Sequence, residues 1–69
     1  MFNETEFEVQ KVRAKVTNKQ IAEALEIDES TLYRKVKSGG NFTRKEISTL
    51  IDFMKIDDPM AIFFDEKLA

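Results

Sequence analysis

The most informative absences in this chain of 69 residues are those of cysteine and histidine. Without cysteine no disulfide can stabilise the fold, and without either residue a zinc site built from Cys and His is excluded. The absence of cysteine also suits a reducing compartment, so we expect a cytoplasmic protein.

Long apolar runs are missing as well, since no stretch approaches the ~20 residues that a membrane span needs. The N-terminus, with Phe2 followed by Asn3 and Glu4, has the wrong charge for a signal peptide. We therefore expect a soluble protein with one domain over residues 1–69, close to the smallest size that a hydrophobic core can hold folded.

The charge is slightly acidic overall but unevenly distributed. The formal net charge is −2, which argues against indiscriminate binding to nucleic acid. Between Arg34 and Lys45 every charged residue is nevertheless basic, whereas acids predominate from Asp52 onward. The folded chain can therefore be acidic in total and still present one basic face.

The apolar residues recur at helical spacing and no segment alternates as a strand would, which predicts an all-α fold of five short helices. The first helix is expected over about residues 5–15, with an apolar stripe formed by Phe7, Val9, Val12 and Val16.

Capping signals divide the rest of the chain. Thr17 with Gln20, and Thr43 with Glu46, have the spacing of capping boxes, and Asp28 is expected to cap a third helix that runs to residue 37. Each cap is flanked by an apolar pair with the spacing of a hydrophobic staple: Val16 and Ile21, Ile27 and Leu32, Phe42 and Ile47.

The later helices have equally local signals. Gly39 and Gly40 are suited to ending the third helix, because glycine readily adopts the left-handed conformation. Asp58 before Pro59 opens a short last helix over about residues 58–66. The fourth helix is expected to bury Ile47, Leu50, Ile51 and Met54.

The second and third helices are joined by a link too short for antiparallel packing. Such a link sets two helices at a steep angle, which is the geometry of a helix-turn-helix, here over about residues 17–37. Ala22 is the small residue needed where the helices cross, and Ile27 is the apolar residue that fills the corner. Leu32 and Val36 then hold the third helix against the core.

Residues 17–39 resemble the DNA-binding domains of phage Cro proteins and repressors, including the broad Xre-like group. The resemblance extends through residues 41–43 and 61–64, and so covers nearly the whole chain. It implies a compact repressor-like fold and a transcriptional regulator of phage or mobile-element type, acting in a bacterial cell or a phage-infected host. In two places the chain departs from the family pattern: Glu26 stands at a turn position that is usually glycine, and Lys35 at a position that is often apolar.

In a helix-turn-helix the first half of the third helix enters the major groove and the preceding helix lies across the backbone. Because Leu32 and Val36 point inward, the outward residues predicted for base contacts are Glu29, Ser30, Tyr33 and Arg34. Chemically, Arg34 suits guanine and Glu29 suits cytosine. The residues predicted for phosphate contacts are Asn18, Lys19, Lys37, Asn41, Thr43 and Arg44.

Each of these residues also has a purely structural interpretation. Glu29 can simply favour the positive end of a helix dipole, Arg34 can be an ordinary solvated charge, and Tyr33 can pack over the loop at Phe42. Thr43 is first of all a cap. The DNA interpretation depends on all of them lying on one face.

No nucleophile–base pair, paired carboxylate or glycine-rich phosphate loop is present, so we expect neither an enzyme nor a cofactor or metal. The acids Glu4, Glu6 and Glu8 are spread around the first helix and are interpreted as a solvated first turn rather than a cation site.

The expected partner is double-stranded DNA with a palindromic operator, bound by a homodimer whose half-sites lie about 34 Å apart. The candidates for a dimer patch are the apolar residues of the last helix that the core leaves exposed, drawn from Met60, Ile62, Phe63 and Phe64. Two alternatives stay open: a module that binds another protein, which the acidic total favours, and a DNA-bending accessory factor with the same fold.

Overall fold

The computed structural model describes residues 1–65, and this part of the chain contains helices and no strand. The five helices are α1 (Glu4–Ala14), α2 (Asn18–Leu25), α3 (Glu29–Lys37), α4 (Arg44–Phe53) and α5 (Pro59–Phe63). The all-α prediction and the number of helices are thereby confirmed. Within residues 1–65 no helix is long and apolar enough to cross a membrane.

Most helices begin where the capping signals predicted. The Thr17 and Thr43 side chains each accept a hydrogen bond from the backbone N–H three residues on. The Gln20 and Glu46 side chains in turn accept a hydrogen bond from the backbone N–H of the capping threonine. Asp58 accepts weakly from Ala61 at 3.4 Å. The prediction for Asp28 is wrong in one respect: it occupies the N-cap position of α3, but its side chain makes no capping hydrogen bond.

The chain between α2 and α3 turns through a left-handed residue. Glu26 has φ 59° and ψ 42°, and its N–H and that of Ile27 bond back to carbonyls of α2. A residue with a side chain pays about 1–2 kcal/mol for this conformation, which glycine largely avoids. Glu26, which stands where a glycine was expected, therefore adopts the left-handed conformation that glycine favours.

The core lies where α2 meets α3 and α4, while α1 packs against α5. Its fully buried side chains come from four different helices or helix ends: Phe7, Ile21, Leu32, Leu50 and Met54. Of the residues predicted for the buried face of α4, Leu50 and Met54 are completely covered, and Ile47 and Ile51 are half-buried.

The apolar stripe predicted for α1 is only partly present. Phe7 is buried and Val16 packs against the core, but Val9 is exposed and Val12 is 73% exposed. The prediction is wrong for these two valines because other residues of α1, among them Phe7 and the polar Gln10, contact the rest of the domain. The Gln10 amide donates to the Met54 carbonyl at 2.8 Å.

An aromatic cluster joins the two ends of the described chain. The Phe2 ring lies 5.5 Å from Phe7, 5.9 Å from Phe42 and 6.0 Å from Phe63 between centroids. Backbone bonds from Asn3 N–H to the Ile62 carbonyl, and from Asp65 N–H to the Met1 carbonyl, tie the termini together. The N-terminal residues thus complete the core beside α5.

The last helix is shorter than predicted. It ends at Phe63, because Phe64 leaves helical geometry with φ −135° and ψ 40°. The expected end at residue 66 lies outside the described residues.

Candidate nucleic-acid interface

The exposed surface of α3 carries all four residues predicted for base contacts: Glu29, Ser30, Tyr33 and Arg34. Leu32 and Val36, which hold α3 against the core, are 1% and 9% exposed. Ser30, Tyr33 and Arg34 have the i, i+3 and i+4 spacing that places side chains on one side of a helix, and Glu29 lies at the edge of that side, in the first turn. We call these four exposed residues the α3 face.

The α3 face is open to solvent rather than packed on a loop. Tyr33 is 62% exposed, so the interpretation in which it packs over the loop at Phe42 is wrong. The Arg34 guanidinium donates to the Thr31 hydroxyl at 3.3 Å, a long bond to a neighbour on its own helix. Both side chains can therefore change partner without disturbing the core.

The end of the α3 face is linked to α1 by an ion pair. The Lys37 ammonium lies 2.7 Å from a carboxylate oxygen of Glu4 and 5.7 Å from the centre of the Tyr33 ring. The hydrogen bond to Glu4 raises the pKa of Lys37, and the Glu4 charge adds to the effect. Lys37 therefore stays protonated at neutral pH, with an acid already beside it.

A small cleft of about 150 Å³ lies between α1, the start of α2 and the second half of α3. Two predicted phosphate contacts, Asn18 and Lys37, line it together with Tyr33. Glu4 and Glu8 line it from α1. The Lys11 ammonium bridges Glu8 at 2.7 Å and the Asn18 side-chain oxygen at 3.0 Å, so α1 also holds the start of α2.

At the N-terminus of α2 the capping box satisfies two backbone N–H groups, those of Thr17 and Gln20. The Thr17 hydroxyl accepts from the Gln20 N–H at 3.2 Å, and the Gln20 side chain accepts from the Thr17 N–H at 2.9 Å. The first N–H groups of a helix have no partner within the helix and attract phosphate. Asn18 and Lys19 lie at this turn and are both exposed.

The loop between α3 and α4 carries the remaining phosphate candidates, and all three (Asn41, Thr43 and Arg44) are exposed. The Thr43 hydroxyl is engaged as the α4 cap, accepting from the Glu46 N–H at 3.1 Å. Thr43 can therefore offer DNA little beyond its remaining hydroxyl proton, whereas Arg44 is exposed and extends from the first turn of α4.

Lys35 fixes this loop in a way that the sequence pattern did not indicate. Its ammonium pairs with the Glu46 carboxylate at 3.2 Å and reaches the Asn41 carbonyl at 3.4 Å. Partial burial opposes ionisation of Glu46, but hydrogen bonds from Thr43 and Lys35 outweigh it and lower the Glu46 pKa. Lys35 thus joins α3 to α4 through an ion pair.

The four candidates for a dimer patch separate into two groups. Ile62 and Phe63 are 4% and 6% exposed and belong to the core, so they are wrong as surface candidates. Met60 and Phe64 are 58% and 49% exposed and line an open groove of about 670 Å³ beside Glu6 and Asp58. Of the four candidates, these two are the ones whose side chains remain exposed.

The described residues contain no group of three or more Asp, Glu, His or Cys side chains placed to hold a metal ion. In the comparisons with known proteins, no family model, no curated protein and no solved structure matches this chain.

Proposed function

We propose that this chain is a sequence-specific binder of double-stranded DNA in which α2 and α3 act as a helix-turn-helix. In this proposal α3 enters the major groove and the start of α2 contacts the phosphate backbone. The role is binding and not catalysis, and by its resemblance to Cro-like proteins the chain would regulate transcription in a phage or mobile element.

The observation that carries the proposal is the exposure of the α3 face. If α3 served only to stabilise the fold, it would need Leu32 and Val36 buried, as they are. The fold alone would not require the exposed residues to offer a guanidinium, a hydroxyl, a phenol and a carboxylate together. Such groups are those that distinguish base edges in the major groove.

The flanking surfaces support the same arrangement. The start of α2 offers backbone N–H groups with Asn18 and Lys19, and the α3–α4 loop offers Asn41 and Arg44, all exposed. Phosphate contacts on both sides of a recognition helix set its register, whereas the base contacts specify the sequence.

A single short recognition helix makes few base contacts, so the proposal includes a two-fold dimer on a palindromic site. Met60 and Phe64 are the exposed apolar residues of the C-terminal region available for such a contact. A sedimentation mass that stays monomeric at high concentration, and a 1:1 complex on a two-half-site duplex, would contradict the dimer.

Binding of another protein is the second candidate, favoured by one specific observation. Met60 and Phe64 flank a groove that Glu6 and Asp58 make acidic, which is a surface that a basic, apolar partner would fit. A salt titration on duplex DNA separates the two functions, because DNA affinity falls steeply with salt as counterions compete.

The proposal is tested by selection from a pool of random duplexes followed by sequencing. We expect enrichment of a palindromic site, and the variant Arg34→Ala should lose preference at one base per half-site, by about 1–3 kcal/mol each. Arg13→Ala, which removes an equally exposed arginine from α1, is the matched control and should retain the full preference. No enrichment even at low salt would refute the DNA-binding function.

A further inference from the structure

The ion pair between Glu4 and Lys37 brings an acid to the edge of the surface proposed to meet DNA. The two residues are 33 positions apart in the sequence, and the fold places the carboxylate 2.7 Å from the ammonium. Both side chains remain about half exposed, at 42% and 51%. The pair therefore lies in solvent at the end of the α3 face.

The same cleft holds the groups that a phosphate would approach. Asn18 and Lys37 line it, and Glu4 and Glu8 complete it from α1. Glu8 is already paired with Lys11, which also holds the Asn18 side chain. Glu4 is thus the acid that forms an ion pair with Lys37, a residue predicted to contact phosphate.

A phosphate and the Glu4 carboxylate have the same charge and compete for the Lys37 ammonium. Glu4 neutralises part of the charge that would attract a phosphate, and its own carboxylate repels the incoming anion. Exposed ion pairs of this kind contribute little to folding stability, so exchange of partners is possible without unfolding.

We propose that Glu4 competes with DNA phosphate for Lys37 and thereby limits the part of the affinity that is independent of sequence. This inference rests on the proposed DNA-binding function and adds an attenuating residue outside the helix-turn-helix. It gives a physical reason for an acid on α1 to face the end of α3.

The expected size of the effect follows from counterion release. One additional phosphate contact steepens the dependence of log affinity on log salt by about 0.9. Through that contact the affinity is about eightfold higher at 0.1 M salt than at 1 M salt. A fourfold rise in salt concentration lowers this contribution to the affinity by about 3.5-fold. Glu4→Gln should therefore strengthen binding to unrelated duplexes by up to about eightfold at low salt.

The test measures the affinity of Glu4→Gln for a labelled random-sequence duplex by fluorescence anisotropy across a salt series. Glu6→Gln is the matched control, because it removes the same charge from the same helix but Glu6 does not line the cleft. The parent, Lys37→Met and the double variant Glu4→Gln/Lys37→Met complete the set, and urea midpoints verify that all five proteins are folded.

We expect Glu4→Gln to bind more tightly than Glu6→Gln, with a steeper salt dependence. In the Lys37→Met background we expect Glu4→Gln to gain no more affinity than Glu6→Gln gains over the parent. Equal gains from Glu4→Gln and Glu6→Gln, or a Glu4→Gln gain that survives loss of Lys37, would overturn the inference and leave DNA binding intact. Undetectable binding by every protein at low salt would overturn the proposed function, and the inference with it.

Discussion

Alanine at Gly40 should destabilise the domain far more than alanine at Gly39, although the two glycines are neighbours in one loop. Both have positive φ, +91° at Gly39 and +74° at Gly40, so each substitution forces a side chain into a strained backbone conformation. The space around them differs. A Cβ at Gly39 meets nothing within 4 Å, whereas a Cβ at Gly40 would overlap the Phe2 side chain.

The magnitudes follow from these two terms. Backbone strain alone costs about 1–2 kcal/mol, which is the loss expected for Gly39→Ala. At Gly40 the new methyl group must also displace Phe2 from its contacts with Phe7 and Phe42, and overpacking of this kind adds about 1–3 kcal/mol. The total for Gly40→Ala is then about 2–5 kcal/mol, against a stability of about 3–10 kcal/mol for a domain of this size.

Urea unfolding followed by circular dichroism measures both variants in one assay. Chemical shifts of the Phe7 and Phe42 ring protons provide a local check, and they should change in Gly40→Ala only. Equal losses of stability for the two variants, with unchanged ring shifts in both, would refute the packing of Phe2 against the loop that follows α3.

Two further predictions concern the turn between α2 and α3 and the ion pair between Lys35 and Glu46. Glu26→Gly should raise the stability by about 0.5–1 kcal/mol, because the left-handed strain it removes exceeds the entropy cost of glycine. The control Glu23→Gly, inside α2, should lower stability by about 1 kcal/mol in the same urea assay, and equal losses for both would contradict the turn geometry. The lowered pKa of Glu46 means that its ionised form stabilises the fold above the ordinary value of about 4.5, and that this stability is lost as the pH falls through the folded-state pKa. Glu46→Gln should therefore be less stable than the parent by about 1 kcal/mol near neutral pH, with the difference vanishing in acid. A difference independent of pH would show that the charge of the Glu46 carboxylate does not stabilise the fold.

The parts of the fold that could be predicted from sequence are those set by residues close together in the chain. The capping boxes at Thr17 and Thr43 involve groups three positions apart, and both are present as expected. The spacing of Leu32 and Val36 likewise predicted which side of α3 is buried, and the opposite side is exposed.

The errors arose where distant parts of the chain decide the outcome. Val9 and Val12 fit a helical stripe, but the partners available to α1 leave them outside the core. Ile62 and Phe63 looked available for a dimer, but Phe2 and the N-terminal segment cover this side of α5. No local pattern indicates which of several apolar residues a remote segment will cover.

In the candidate site, too, local features could be predicted from sequence and contacts between distant residues could not. Exposure of the residues predicted for base contacts followed from helical periodicity alone, while the contact between Glu4 and Lys37 joins positions that have no relation in sequence. Glu4 was interpreted as part of a solvated first turn, and it is indeed half exposed, but its partner on α3 could only be found from the fold. DNA binding itself stays a prediction.

The most direct test of that prediction is amide chemical-shift mapping by NMR, with the duplex enriched from the random pool titrated into labelled protein. We expect the largest changes along α3 and at Asn18, Lys19 and Gln20, with the α3–α4 loop also affected. Changes concentrated on α5 and its groove at Met60 and Phe64, or none at saturating duplex, would contradict the assignment of α3 as the DNA-reading helix.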